Sequence, residues 1–150
     1  MGTRSLTRVI ETWKDDDGKQ KQEMLVTMYR QMDGYPSGHG QDLAEFLRSG
    51  KVVNGLGLGM DEKQRVFNGA GCMAAQMISH FKGDSAGGIY IYPNSTKDAW
   101  QNYEYHVLVD FDSKDVTLIC YESGKRKKKL FEGSPDKFIE FVQKEESSTP

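Results

Sequence analysis

Hydrophobic and polar residues alternate along two segments near the beginning of the chain, Arg4–Lys14 and Glu23–Gln31, which are also rich in β-branched side chains. Such alternation is typical of β-strands that bury one face. Asp17-Gly18 stands between the two segments, and this dipeptide favours a tight hairpin turn. The pattern therefore predicts two antiparallel strands whose open ends lie together.

Hydrophobic residues return at helical spacing in QDLAEFLRSG, which ends at Gly50, and in SPDKFIEFVQ near the end of the chain. In the second segment Ser134 is a suitable N-cap and Pro135 suits the first helical position. One helix is predicted in each segment. The stripe of the first consists of Leu43, Ala44, Phe46 and Leu47.

A third helix is predicted within Asp61–Lys82, and its beginning can be read in two ways. Asp61 and Gln64 resemble a capping box, which favours an early start. Gly69 and Gly71 would each cost a helix interior about 1 kcal/mol relative to alanine. An equally good interpretation starts the helix at Asn68.

The remaining hydrophobic runs are short and predict further strands: KVV, IYIY, YEYHVLVDF and DVTLICYE, followed by KRKKKLF as a charged edge strand. The alternation in YEYHVLVDF places Tyr105 and Phe111 on one face. Strands, helices and a strand meander in this order predict an α+β protein, with a mainly antiparallel β-sheet packed against two to three helices. We expect a single domain over residues 1–145 and a disordered tail over residues 146–150.

The amino-acid composition and charge limit the classes of function that we expect for this protein. The chain has 150 residues, 37% hydrophobic content and a net charge of −2, so neither a membrane nor nucleic acid is favoured as a partner. No dinucleotide fingerprint or P-loop is present, and the two cysteines and three histidines show no metal-ligand spacing. We therefore expect a cytoplasmic protein without metal or cofactor, and a homo-oligomer is compatible with the chain.

The segment DGYPSGHG, residues 33–40, concentrates residues able to bind an anion. Glycines let a ligand approach the backbone, and N–H groups at Ser37–Gly40 would face outward at the start of a helix. The alternative is a plain connector in which Tyr35 closes the edge of the core. The candidate ligand-binding residues in this segment are Asp33, Gly34, Tyr35, Ser37, Gly38 and His39.

Two arginines flank this segment in the predicted hairpin. Arg4 precedes the first strand and Arg30 ends the second, so both would stand beside the glycine-rich loop and could clamp a phosphate or carboxylate. The alternative is that both are solvated charges at strand ends. Ser5, Tyr29, Asn68 and Gly69 complete the predicted set of ligand-binding residues.

Three segments, MGTRSLT, YRQMDGYPSGHG and NGAGCMAAQ, occur in this order, with YEYHV following. In them the chain resembles a family of small proteins encoded by bacteriophages and some bacteria. The resemblance implies no catalytic role for any residue. By analogy of size and setting, it suggests a sponge that sequesters a nucleotide second messenger of bacterial immunity, in the cytoplasm of the host.

The leading hypothesis is a non-enzymatic binding protein for a small phosphate-bearing or nucleotide-like ligand, without catalytic residues. One alternative is a small hydrolase or transferase, with His39 or His106 as base and Asp33 as orienting carboxylate. Another is a protein–protein inhibitor of a host defence factor.

Overall fold

The computed structural model describes residues 2–55 and 65–147. Its helices and strands agree with most of the predicted pattern. In chain order they are β1 Ser5–Lys14, β2 Gln20–Arg30, a π-helical turn Pro36–Gly40, α1 Gln41–Arg48, β3 Gly50–Val53, β4 Arg65–Asn68, α2 Gly69–Lys82, β5 Ile89–Tyr92, β6 Tyr103–Asp110, β7 Val116–Glu122, β8 Lys128–Gly133 and α3 Pro135–Ser147.

Six of the strands form one sheet in the order β5-β2-β1-β6-β7-β8. All neighbours are antiparallel except β1 and β6, which are parallel and place Ser5 opposite Tyr103. Strands β3 and β4 form a separate parallel pair. The predicted α+β class with a mainly antiparallel sheet is confirmed, although the sequence pattern did not indicate the two parallel pairings.

The three helices cover one face of the sheet, since the core joins their hydrophobic stripes to the inward side chains of the strands. The predicted stripe of α1 is buried, from Leu43 to Leu47. In β6 the residues Tyr105, Val107 and Val109 are buried. Phe111 follows the end of β6 and is exposed, so it does not belong to that face as predicted.

The other face of the sheet is covered by the connection between β5 and β6, residues 93–102. Arg8 reaches from β1 into this connection and donates hydrogen bonds to the carbonyl oxygens of Asn94 and Thr96. Its Nε lies 3.3 Å from Oε2 of Glu104, and both side chains are almost fully buried. We refer to residues 93–102 as the crossing loop.

The structure decides between the two predicted starts of α2 and shows where α3 begins. Helix α2 begins at Gly69, as in the later of the two interpretations, while Asp61 and Gln64 lie outside the described residues. Helix α3 begins as predicted, and the N–H of Lys137 donates to Oγ of Ser134.

The end of the chain differs from the expectation. Helix α3 continues to Ser147, so the first two residues of the expected disordered tail are helical, and residues 148–150 lie outside the described ranges. The tail prediction is therefore wrong for residues 146 and 147. No helix in the described part of the chain is long and apolar enough to cross a membrane.

Candidate functional site

A groove of about 540 Å³ opens where the end of β2 meets α1, the start of β4 and the end of α2. We call it the Arg30 groove. Its volume lies within the usual range for a small-molecule site. The side chains on which its chemistry depends are Arg30, Asp42, Glu45, Phe46, Arg65, His80, Phe81 and Lys82.

Aromatic rings form the floor of the Arg30 groove. The rings of Phe46 and His80 lie 4.9 Å apart with an interplanar angle of 31°, and Phe81 is perpendicular to His80 at the same centroid distance. Because Phe46 is buried and packed against the core cluster, its ring is held in position. His80 lies on Phe46 and is exposed, so its ring can stack against a planar ring in the groove.

Three cationic side chains surround this floor. The guanidinium of Arg65 lies 5.0 Å from the ring centre of Phe46, and that of Arg30 lies 5.9 Å from Phe81. Lys82 donates hydrogen bonds to the carbonyl oxygens of residues 87 and 89, which fix its ammonium at the rim. Arginine side chains suit phosphate or carboxylate groups because the guanidinium binds them bidentately.

Two carboxylates on α1 line the same groove. Asp42 lies 3.6 Å from Nη1 of Arg30 but is half exposed, so this pair contributes little to stability. Glu45 accepts a hydrogen bond from Gln41 one helical turn earlier. The groove thus presents cations for an anionic group and carboxylate oxygens that can accept hydrogen bonds from hydroxyl or amino groups.

A buried hydrogen-bond chain holds Arg30 from behind. Nη1 of Arg30 donates to Nδ1 of His39 over 3.1 Å, and therefore Nε2 of His39 carries the proton and donates to Oγ1 of Thr7 over 2.7 Å. His39 is fully buried. Burial, and then the charge of Arg30, lower the pKa of His39 from 6.5 to about 3, so its imidazole is neutral.

The predicted single pocket of Arg4, Arg30, Tyr35, Ser37 and His39 is wrong. His39 is enclosed by the core instead of lining a cavity. Tyr35 and Ser37 line a different groove of about 800 Å³, beside β8 and α3, while Arg30 lines the first. This second groove is larger, but its three glutamates outnumber its two lysines, so it suits an anion less well.

The two arginines of the predicted clamp lie on opposite faces of the sheet. Ser5 is paired with Arg30 across the hairpin, so these two share a face, and the preceding Arg4 falls on the other. Arg4 donates to the carbonyl oxygen of Trp100 over 3.5 Å, in the crossing loop. Tyr29 also faces away from Arg30 and stacks on Tyr92 at 4.8 Å.

The predicted floor of free backbone N–H groups is also absent from the turn after β2. The N–H groups of Gly38 and Gly40 donate to the carbonyl oxygen of Tyr35, and the N–H of His39 donates to that of Asp33. Ser37 is exposed and does not cap the turn, which begins at Pro36. An anion would find these three donors occupied.

The glycines of this turn serve close packing. A Cβ on Gly34 would lie 2.8 Å from the carbonyl carbon of Arg4. The carbonyl oxygen of Gly34 accepts the hydroxyl of Tyr105 over 2.7 Å, which joins the turn to β6. The connector interpretation therefore accounts for most of the special residues in this segment.

We expect Gly38→Val to destabilise the fold by about 1–3 kcal/mol, because a new Cβ would stand 2.5 Å from the carbonyl oxygen of Asp33. Gly38 is needed for this close approach and not for a positive φ. Gly71→Ala is the matched control, since nothing lies within 4 Å of its Cβ and alanine favours the helix. Urea unfolding that showed equal effects at both positions would contradict the close-approach argument.

Asn68 and Gly69 do not belong to the Arg30 groove. They lie at the start of α2, whereas His80 and Lys82 line the groove at its end, roughly 20 Å away at 1.5 Å per residue. The side-chain oxygen of Asn68 accepts the N–H of Gly55. Gly69 has a φ of 86° and lines a separate cavity of about 50 Å³.

The orienting role predicted for Asp33 is not formed, since Asp33 is paired with neither His39 nor His106. Asp33 accepts a hydrogen bond from the hydroxyl of Tyr35 and does not contact the ring of His39, whose nitrogens are both engaged. Nε2 of His106 lies 2.5 Å from Oε2 of Glu104, on the face of the sheet away from the Arg30 groove. Within residues 2–55 and 65–147, no group of three or more His, Cys, Asp or Glu side chains could hold a metal ion.

Sequence reasoning missed most of the groove. Phe46 and Phe81 were expected only as core residues, and Arg65 and Lys82 were not singled out. A usable signal is the end of α2, where His80 and Lys82 precede a stretch with three glycines, Gly83, Gly87 and Gly88, all of which have positive φ. A cationic helix end followed by such a stretch can indicate a ligand-facing loop.

Comparisons with protein-family models, with curated proteins and with solved structures found no match.

Proposed function

We propose that this protein is a non-enzymatic binding protein for a small phosphate-bearing ligand with a planar ring, of the nucleotide type, and that the ligand binds in the Arg30 groove. The observation that carries the proposal is the meeting of three cations and an aromatic floor in one cavity of about 540 Å³. A ring would stack on His80, the exposed ring of the floor, and phosphate oxygens would bind Arg30 and Arg65. The carboxylates on α1 would accept hydrogen bonds from sugar hydroxyls or a base amino group.

We propose that the protein sequesters a nucleotide-type signal. This role agrees with the phage setting that the resemblance of the sequence implies. The histidine in contact with Arg30 supports binding without turnover. His39 is enclosed behind Arg30 and Phe81 and does not itself line the groove, so it cannot reach a ligand there as a base.

A ligand panel tests this function. Linear and cyclic mononucleotides, cyclic dinucleotides, ribose 5-phosphate and inorganic phosphate are compared by thermal shift and calorimetry. We expect nucleotides to bind more tightly than ribose 5-phosphate, because only they add stacking on the floor. Mass spectrometry after denaturing the complex should recover the ligand intact. A panel without any binder would refute the proposal, and a new product would replace sequestration by catalysis.

We expect Arg65→Ala to weaken the binding of the nucleotide selected from the panel by about 1.5–3 kcal/mol, the scale of a charge-assisted hydrogen bond. Arg30→Ala should have an effect of the same size. Arg48→Ala is the matched control, because Arg48 is an exposed cation on α1 whose side chain pairs with Asp136 away from the groove. Calorimetry in which all three variants lose the same affinity would place the ligand elsewhere.

A further inference from the structure

The crossing loop presents an exposed tryptophan in a strained conformation. Trp100 is 78% exposed, the largest exposure among the large hydrophobic side chains of the described residues. Its φ is 59°, a left-handed conformation that is unfavourable for a residue with a Cβ. The combination of this backbone conformation with an exposed ring motivates the hypothesis that the ring has a function.

Hydrogen bonds on both sides hold Trp100 in this position. Its N–H donates to Oδ1 of Asp98 over 2.8 Å, and its carbonyl oxygen accepts from Arg4. Gln101 accepts the N–H of Ala99 with Oε1, and its Nε2 donates to the carbonyl oxygen of Lys97. These bonds hold the backbone of the turn, so the backbone loses little conformational freedom on binding a partner.

The basic turn between β7 and β8 lies beside the crossing loop. The N–H of Ser123 donates to the carbonyl oxygen of Asn102, and residues of both segments line one cavity of about 410 Å³. Lys97 lines this cavity from the loop, and Gly124 and Lys127 line it from the turn. We call this combination, residues 97–101 with 123–127, the Trp100 surface.

A buried carboxylate fixes the two halves of the Trp100 surface to each other. Glu104 is 2% exposed, and its Oε2 binds both Arg8, which holds the crossing loop, and Lys127 of the basic turn. Nε2 of Gln101 lies 3.4 Å from its other oxygen. The crossing loop and the basic turn are thus held next to each other.

The local charge differs from that of the whole chain. Residues 97–101 and 123–127 contain four cationic side chains, Lys97, Lys125, Arg126 and Lys127, and one carboxylate, Asp98. Three of the four cations follow one another in the turn and are exposed. The net charge of −2 for the whole protein conceals this patch.

We propose that the Trp100 surface binds single-stranded nucleic acid, with the indole stacking on one base and the cations of the basic turn contacting neighbouring phosphates. A protruding aromatic ring beside clustered cations is the arrangement that binds single strands with little sequence preference. A duplex fits less well, because its bases are already stacked on one another. This site is separate from the Arg30 groove and does not depend on the function proposed there.

Fluorescence anisotropy with labelled oligo-dT and oligo-U of about 15 nucleotides, in the length range of a single-strand site, tests the proposal. Binding is measured at about 50 mM and about 200 mM salt, where phosphate contacts differ strongly in strength. We expect Trp100→Gly to weaken binding about tenfold, the scale of one base–aromatic stack. Glycine suits the φ of 59°, so this variant should be as stable as the parent protein in a thermal unfolding scan.

The paired substitutions Lys125→Glu and Arg126→Glu should reduce the salt slope by about 1.4, since each single-strand phosphate contact contributes about 0.7. Phe111→Ala is the matched aromatic control, being 48% exposed beside Lys114 at the far end of β6. Lys19→Glu with Lys21→Glu, near the β1–β2 turn, is the charge control. Neither control should change binding.

Three results would overturn the proposal. The first is no binding of either oligonucleotide at the lower salt concentration. The second is an equal loss of affinity in the control variants. The third is competition by polyglutamate as strong as that by unlabelled oligonucleotide, with no effect of Trp100→Gly, because the surface would then recognise acidic protein by charge alone. Binding of both oligonucleotides supports the proposal if Trp100→Gly weakens it and the charge reversals at positions 125 and 126 lower its salt slope. A preference for oligo-dT or for oligo-U identifies DNA or RNA as the ligand.

Discussion

Acidification from pH 6.5 to pH 4.5 is expected to lower the free energy of unfolding by about 2 kcal/mol through His39 alone. The pKa of this imidazole is about 3 in the folded protein and has its ordinary value of 6.5 in the unfolded chain. Below pH 6.5 the unfolded state therefore binds a proton that the folded state does not. The stabilisation is complete above pH 6.5 and is lost progressively as the pH falls towards 3.

Urea unfolding at several pH values between 7 and 4.5 measures this dependence. His39→Gln should be less stable at pH 7, because the chain from Thr7 to Arg30 is broken, but its stability should fall less steeply with acid. The difference between the stability curves of the parent protein and His39→Gln gives the contribution of His39, because both proteins contain the carboxylates that titrate in the same range. His80→Gln controls for the loss of an exposed histidine. Parallel curves for the parent protein and His39→Gln would contradict the buried neutral imidazole.

Arg8→Met is expected to lower the free energy of unfolding by about 3–5 kcal/mol, the usual cost of removing one partner of a buried ion pair. Arg8 is 4% exposed and donates to Glu104, to Oγ1 of Thr27 and to two carbonyl oxygens of the crossing loop. Without it, a carboxylate and two carbonyl groups lose a donor inside the protein. Amide hydrogen exchange should show faster exchange in residues 93–102 before the helices are affected.

A double-mutant cycle with Glu104→Gln separates the ion pair from the other bonds of Arg8. We expect the double variant to be more stable than the two single losses added together. Burial alone would raise the pKa of Glu104, but hydrogen bonds from His106 and Lys127 lower it to about 2. Its stabilisation should be present above pH 4.5 and disappear as the pH falls through 2, and Glu104→Gln should lack this step. Additive single effects would indicate that Arg8 acts only through the crossing loop.

Local signals in the sequence were sufficient for most elements of the fold. The Asp17-Gly18 turn, the stripe of α1 and the Ser134 cap each depend on neighbouring residues, and each was confirmed. The parallel pairing of β1 with β6 depends on contacts between distant segments, and no local pattern encodes it. The same limit applies to the β3–β4 pair.

The predicted clamp is wrong because Arg4 lies one residue before the partner of Arg30 in the β1–β2 register. Side chains alternate across a strand, so a shift of one residue moves a side chain to the other face. Because Ser5 and not Arg4 stands opposite Arg30, the two arginines serve different surfaces, one beside Phe81 and one beside Trp100. The sequence placed Arg4 and Arg30 at neighbouring strand ends, but it could not assign their faces.

The high density of glycines in residues 33–40 did not indicate where the candidate site lies. The glycines of residues 34–40 permit close packing, and the groove is instead assembled from Arg30, Arg65, Lys82 and two phenylalanines, which belong to four different elements. Side chains of this kind are scattered along the sequence and show no common motif. Only the folded arrangement brings them together.

The parallel pairing of β1 with β6 has a consequence for synthesis on the ribosome. Arg4 and Asn102, at the start of these strands, are 98 residues apart. At roughly 5–20 residues per second, the partner of β1 emerges about 5–20 s after β1 itself. During that interval the β1–β2 hairpin can form, but the other edge of β1 has no partner and can pair with another nascent chain. Expression yield should therefore depend on how quickly residues 31–110 are translated, and on chaperones that cover an unpaired strand.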